Sequence, residues 1–137
     1  MNEKDFVTLE TAKLLKEKGF NEECYAYYRN GVLIYAMYQD YSSINDMLYQ
    51  YILNDKIYTP TLYQAQKWLR KKHNCYVQVT YEAYKTGVNY LVQVLFYEPN
   101  DDDCWSDKST GKYGDNAEFD SFEDALSFGI LKALKRI

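Results

Sequence analysis

Three segments of this chain begin in the same way, with Ser or Thr, a large apolar residue, two variable positions and Ala. They start at Thr8, Thr61 and Ser121. Each hydroxyl can accept a hydrogen bond from an otherwise unpaired amide in a first helical turn, and each apolar pair begins a stripe that faces a core. The pattern predicts three amphipathic helices, each of which needs a partner surface.

The first of these helices has a predictable end. Lys16 and Lys18 suit the carbonyl end of a helix, and Gly19 can take the left-handed conformation that closes many helices. Phe20 is then placed to fold back onto the helix. The core-facing stripe consists of Leu9, Ala12 and Leu15.

A tyrosine-rich hairpin is predicted after the first helix. Residues 24–29 and 32–38 are joined by Asn30 and Gly31, a pair that tolerates the positive backbone angles of a type I′ turn. The two segments are therefore expected to pair as antiparallel strands.

A further helix is predicted from Ser43 to about residue 54. Ser43 and Asp46 have the spacing of a capping box. Apolar residues then recur at the spacing of one helix face, and they are Ile44, Met47, Leu48, Tyr51 and Ile52. Residues 57–60 are interpreted as a short connector to the next helix, because Pro60 disfavours helical geometry at the residue before it.

The helix that starts at Thr61 leads into the second group of strands. Its stripe consists of Leu62, Ala65, Trp68 and Leu69, and Thr61 with Gln64 has the spacing of a capping box. Residues 75–81 alternate as a strand, with Cys75, Val77, Val79 and Tyr81 on one side. After a turn at Thr86 and Gly87, residues 88–97 form the longest apolar strand, which we place centrally in a sheet. A third strand is expected between residues 105 and 119.

The last helix completes an α+β chain. Ser121 and Asp124 have the spacing of a capping box, and the stripe consists of Phe122, Ala125, Leu126, Ile130, Ala133, Leu134 and Ile137. We expect one domain over residues 1–137, in which an antiparallel sheet built from tyrosine-rich hairpins has amphipathic helices on one face. The order of elements also allows an internal α-β-β-α duplication with halves 1–56 and 57–137.

Tyrosine is the unusual feature of the composition, with 16 of 137 residues. Sheet packing explains such enrichment, and an exposed tyrosine-bearing face that binds a protein is the alternative. The candidate residues of that face are Tyr25, Tyr27, Tyr35 and Tyr76. A protein partner or self-association is accordingly expected.

Charge and cysteine content indicate the compartment. The formal net charge is −4, which disfavours nucleic acid and anionic membrane as partners. The beginning of the chain is polar, and no apolar stretch is long enough to cross a membrane. Cys24, Cys75 and Cys104 are odd in number and widely spaced, so that reduced thiols in the cytoplasm are expected.

Neither catalysis nor metal binding has a matching motif. Asp101, Asp102, Asp103 and Asp107 form an acidic segment that lacks the glycine and glutamate of a calcium loop. His73 and Cys75 lack the further ligands of a zinc site and the context of a catalytic pair. The segment from Ser109 to Lys112 lacks the first glycine of a phosphate loop. No catalytic residue, metal or cofactor is predicted, and a non-enzymatic role is favoured. An enzyme is left open as an alternative, because a site assembled from Tyr, Asp and Lys at distant positions leaves no trace in the sequence.

Two basic clusters are the local exception to the acidic balance. They could form a phosphate-binding surface, and they consist of Lys67, Arg70, Lys71 and Lys72 with Lys132, Lys135 and Arg136. Complementing the carbonyl ends of two helices explains the same residues, and Glu123 and Asp124 would repel phosphate at the start of the last helix. Nucleic-acid binding is therefore the alternative function.

Three helical stretches carry a resemblance to a known family. The stretches are VTLETAKLLKEKGF, PTLYQAQKWLRKKHN and SFEDALSFGILKALKRI, together about a third of the chain. They resemble small uncharacterised proteins of gut Bacteroidetes and their phages or mobile elements. The resemblance implies an intracellular accessory protein of unknown function and brings no site residue with it. Together with the aromatic content, it leads us to expect a protein-interaction module.

Overall fold

The structure is a computed structural model that describes residues 2–35, 56–99, 105–107 and 118–137. These residues form an α+β fold, which confirms the predicted class. After a short 3₁₀ helix at Glu3–Asp5, the helices are α1 (Leu9–Glu17), α2 (Leu62–His73) and α3 (Phe122–Arg136). The strands are β1 (Ala26–Arg29), β2 (Val32–Tyr35), β3 (Ile57–Thr59), β4 (Cys75–Tyr84), β5 (Gly87–Tyr97) and β6 (Trp105–Asp107).

The strands form two antiparallel sheets of three strands each. Their orders are β2-β1-β3 and β4-β5-β6. Strand β5 is central in the second sheet, as its length and apolar character predict, and β6 supplies the third strand expected after residue 105. Helices α2 and α3 both contact β4, and α3 also packs on β5.

The predicted helix ends are confirmed. The hydroxyls of Thr8, Thr61 and Ser121 each accept a hydrogen bond from the amide three residues later, at 3.1–3.3 Å. At the end of α1, the amide of Phe20 donates to the carbonyl of Leu15 at 2.9 Å, and Gly19 has a φ of +95°. This is the left-handed closure predicted for Gly19. The helix predicted at residues 43–54 lies outside the described residues.

The hairpin turn is also confirmed. Asn30 and Gly31 have φ values of +50° and +77°, the two positive angles of a type I′ turn. Four residue pairs join β1 to β2 in this hairpin. Strand β1 begins at Ala26 and is therefore shorter than the predicted segment 24–29. The last predicted residues of the second strand, 36–38, lie outside the described residues.

The interpretation of residues 57–60 as a connector is wrong. Ile57–Thr59 is strand β3, which pairs with β1. The carbonyl of Val7 secures this region, because Tyr28 Oη and Thr59 Oγ1 both donate to it at 3.0 Å. Strand β3 thus joins a sheet whose other strands precede residue 56, so that the sheet crosses the boundary between the two predicted halves.

The core lies between α3 and the inner face of the second sheet. One cluster of buried side chains includes Leu15 and Leu69 from the other helices as well as Val77, Val92 and Ile130. Most of the α3 stripe predicted from sequence is buried there. Phe122 is the exception: 43% of it is exposed, because the first turn of α3 lies at the margin of the core.

Gly129 permits the close approach of α3 to this sheet. A Cβ atom built at Gly129 would lie 2.5 Å from Cγ1 of Val77 and 2.5 Å from Cγ2 of Val92. Such distances are far below van der Waals contact, and both methyl groups belong to buried side chains. The missing side chain is therefore a packing requirement of the core.

We expect Gly129→Ala to lower the free energy of unfolding by roughly 1–2 kcal/mol, because overpacking outweighs the gain in helix propensity. Chemical denaturation monitored by circular dichroism measures this change. Ser127→Ala, on the same helix, is the control and should be neutral or slightly stabilising. A Gly129→Ala protein as stable as the unchanged chain would contradict the packing argument.

Candidate interaction surface

Strand β4 forms one edge of the second sheet. In the part of the chain that the structure describes, its only strand partner is β5. The amide of Tyr97 donates to the carbonyl of Asn74 at 2.9 Å, and antiparallel pairing alternates along the strands. The even-numbered residues of β4 therefore bond to β5, whereas the odd-numbered residues direct their backbone groups to the open edge.

A groove follows this edge. Its cavity volume is about 530 Å³, and it is lined by Gln66, Arg70, Tyr76, Val77, Gln78, Val79, Leu95 and Phe122. Tyr76, Gln78 and Leu95 belong to the outer face of the sheet, whereas Val77 and Val79 belong to the inner face. Because its lining comes from both faces, the groove, which we call the β4 groove, runs along the edge of the strand.

Gln66 places α2 against this edge. Its Nε2 donates to the carbonyl of Val77 at 2.7 Å. Val77 is an odd-numbered residue, so the bond occupies a backbone acceptor that no described strand reaches. This agrees with the alternation deduced from Tyr97. One turn later on α2, half-buried Arg70 lines the same groove.

A second depression adjoins the β4 groove. It has a volume of about 330 Å³ and is lined by Asp5, Thr61, Leu62, Tyr63, Phe122, Glu123 and Leu126. Phe122 lines both hollows. Exposed fractions of 63% for Tyr63, 43% for Phe122 and 37% for Tyr76 make these three residues an aromatic surface around the two hollows.

The predicted tyrosine-bearing face is not a single surface. Tyr25 and Tyr35 are exposed near the first sheet, with Tyr35 against the ring of Phe6, whereas Tyr76 belongs to the second sheet. Tyr27 is only 6% exposed and packs edge-to-face on Tyr58. Inclusion of Tyr27 in an exposed face is therefore wrong, because β1 buries side chains on both of its faces.

Helix α2 concentrates positive charge beside the groove. It contains Lys67, Arg70, Lys71 and Lys72 but no acidic residue. Within residues 2–35, 56–99 and 118–137, none of these four side chains forms an ion pair. In the part of the chain that the structure describes, no carboxylate therefore offsets this charge.

Two of the three predicted basic residues of α3 have contacts within the protein instead. Lys135 pairs with Glu10 at 3.8 Å, and Lys132 Nζ lies 5.3 Å from the centre of the Phe128 ring. Arg136 is exposed near the end of the helix. Lys18 donates to the carbonyl of Ile137 at 2.7 Å, and its charge adds to the effect of burial in lowering the pKa of His73. Lys18 therefore lies near the C-terminal ends of both α3 and α2.

The two cysteines within the described ranges are buried. Burial raises the pKa of Cys75 to about 12, and burial with the neighbouring Glu22 and Glu23 raises the pKa of Cys24 to about 12. Burial, together with the charge of Lys18, lowers the pKa of His73, whose ring packs on Trp68. Neither thiol is ionised near neutral pH, so neither is an effective nucleophile.

The structure shows no group of three or more metal-ligating side chains within the described ranges. The acidic segment at residues 101–103 and the segment from 109 to 112 lie outside those ranges. No helix in the described part of the chain is long and apolar enough to span a bilayer.

Sequence reasoning identified Arg70 and Tyr76 but missed Gln66, Tyr63 and Phe122. Phe122 was assigned to the core stripe because it has the correct helical spacing. Gln66 carries no signal in the sequence, since its role depends on a strand eleven residues further along the chain.

Comparisons with known proteins do not assign a function to this surface. No family model, no curated protein and no solved structure matches the chain. The function is therefore argued from the geometry of the groove and its surroundings.

We expect Cys24 and Cys75 to resist alkylation by iodoacetamide at pH 8 in the folded protein and to react fully in guanidinium chloride. Burial and the raised pKa of both thiols suppress the thiolate that reacts. Peptide mapping by mass spectrometry measures labelling at each cysteine. Rapid labelling of Cys75 in the folded state would show that the strand end is open to solvent.

Proposed function

We propose that the protein is a non-enzymatic protein-interaction module. The observation that carries this proposal is the aromatic surface formed by Tyr63, Tyr76 and Phe122 around two adjoining hollows. Aromatic side chains anchor protein interfaces because they bury a large area at a small cost in conformational entropy. Exposed aromatic rings beside apolar hollows are also costly to leave in water without a partner.

The residue types at this surface favour binding over catalysis. Among the described residues that line it, the β4 groove contains one cation, Arg70, and no cysteine, histidine or carboxylate. The described lining of the adjoining depression contains Asp5 and Glu123 but no histidine or cysteine. A convergent set of nucleophile, base and orienting group is the usual sign of a catalytic centre, and these linings do not supply one.

The cellular setting is proposed from the sequence. The resemblance of three helical stretches supports an accessory protein of a phage or mobile element that binds a host or virion protein. Reduced, buried cysteines are compatible with the cytoplasm, which we propose as the compartment.

Nucleic-acid binding is the second candidate. The observation in its favour is that α2 contains four cations without an acidic residue, and that its C-terminal end lies near the end of α3. The net charge of −4 and the acidic start of α3 oppose it. Binding through phosphates would weaken steeply as salt increases.

We expect a Tyr63→Ala/Phe122→Ala variant to lose the partner that the unchanged protein retains when it is purified from cells that naturally express it. The interface would lose two aromatic anchors, at a cost of about 2 kcal/mol or more. Quantitative mass spectrometry of the retained proteins measures this loss.

Tyr25→Ala/Tyr35→Ala is the matched control, because it removes two exposed tyrosines near the first sheet. It should retain the partner. The proposed function is wrong if the unchanged protein is a monomer by light scattering and retains no other protein. It is also wrong if both variants retain the same proteins as the unchanged chain.

A gel-shift assay with duplex and single-stranded RNA and DNA tests the second candidate function, nucleic-acid binding. We expect no retardation at about 50 mM salt, because the overall field of the chain is negative. Retardation that disappears at about 200 mM salt and in Lys67→Glu/Lys71→Glu would instead favour nucleic-acid binding.

A further inference from the structure

We infer that the open edge of β4 binds an extended, acidic segment of a partner protein as an added strand. This inference rests on the proposed function and names both the contact and the chemistry of the partner. Backbone hydrogen bonds to an exposed sheet edge provide affinity in such complexes, and flanking pockets select the side chains.

The length of β4 distinguishes it from the other edges. Among the described strands, the other edge strands β2, β3 and β6 have only three or four residues each. The far side of β5 is interrupted by the bridge between Tyr90 and Phe119 and by β6 at Leu95–Tyr97. Strand β4 has ten residues. It contains neither proline nor lysine, two residues that commonly protect an edge from pairing, and its one charged residue is Glu82 near the far end from α2.

The backbone of β4 offers a defined set of bonding groups. Gln66 already bonds to the carbonyl of Val77. Beyond that point, the odd-numbered residues Val79, Tyr81 and Ala83 direct their amides and carbonyls away from β5. Tyr81 is 71% exposed, so a partner strand can approach the edge at this end of β4.

Charge complementarity selects an acidic occupant. Arg70 lines the β4 groove, and Lys67, one turn earlier on α2, is exposed beside it. Neither forms an ion pair within the described ranges. A carboxylate on the partner would bond to Arg70 with the fork geometry that arginine favours.

The groove also requires apolar side chains from the partner. Val77, Val79 and Leu95 contribute apolar surface, and the ring of Phe122 forms part of the same lining. Side chains of an added strand alternate between its two faces. We call Lys67 and Arg70 the cationic rim of the groove. A segment that alternates apolar and acidic residues therefore places apolar side chains in the groove and carboxylates against this rim at the same time.

The test begins with a phage-displayed library of random peptides about twelve residues long, enough to cover the ten residues of β4. We expect the selected peptides to alternate apolar residues with Asp or Glu. The most enriched peptide is then synthesised and its affinity measured by fluorescence anisotropy. Its affinity should fall as salt is added, because the contact with Arg70 is partly exposed.

Amide hydrogen exchange measured by NMR reports strand addition directly. In the free protein, the amides of Gln78, Thr80 and Glu82 should exchange slowly, whereas those of Val79, Tyr81 and Ala83 should exchange rapidly. The synthesised peptide should slow exchange of the latter three by at least about tenfold. This alternating pattern needs no variant and distinguishes strand addition from binding through side chains alone.

Two variants with matched controls assign the contacts. Arg70→Glu should weaken binding of the synthesised peptide by at least about tenfold. Lys13→Glu makes the same reversal of charge at an exposed site on α1, and its affinity for the peptide should stay within about twofold of that of the unchanged protein. Tyr81→Pro removes an outward amide and should also weaken binding. Tyr81→Thr removes the ring but keeps the amide, so it should weaken binding less than Tyr81→Pro does.

The inference is wrong if the library yields no enriched peptide, or if the peptide leaves the three outward amides unprotected. A concentration-dependent dimer that Tyr81→Pro abolishes would assign the edge to a second copy of this chain instead. Retention of single-stranded RNA that Arg70→Glu abolishes would assign the rim to nucleic acid. If these tests fail while Tyr63→Ala/Phe122→Ala still loses the natural partner, the interaction module stands and only strand addition is rejected.

Discussion

The close contact of α3 with the second sheet at Gly129 determines how the described part of this protein is arranged. No other residue type leaves room for the methyl groups of Val77 and Val92 at this distance. Because α3 also contacts α1 and α2, its depth against the sheet sets the position of the other helices. The first turn of α3 then lies beside β4, where Phe122 lines both hollows. A requirement of core packing thus creates the aromatic surface.

Local signals in the sequence predicted much of the fold. The helix caps at Thr8, Thr61 and Ser121 and the turn at Asn30 and Gly31 depend on residues close in the chain, so a single sequence is sufficient to find them. Strand β3 was missed because it has three residues and exists through its pairing with β1, whose residues lie about thirty positions earlier.

The interaction surface was largely beyond sequence reasoning for the same physical reason. The β4 groove draws on α2, β4, β5 and α3, and no local pattern brings these four elements together. Helical spacing placed Phe122 correctly on the stripe of α3 but could not show that the stripe extends past the core. Tyr27 was misassigned because alternation along a strand shows which residues share a face, but not whether both faces are covered.

Gln66 sets the limit of the exposed edge. Its side chain bonds to the carbonyl of Val77, which satisfies an outward acceptor beside α2 and blocks pairing there. From Val79 to Ala83 the strand extends away from α2, and no described side chain supplies a comparable bond to its outward groups. Natural sheets usually blunt an edge of this kind with charge, proline or a covering element. The β4 groove and Arg70 of α2 lie at the Gln66 end of the strand, so that side-chain and charge recognition there adjoin the strand pairing available from Val79 to Ala83.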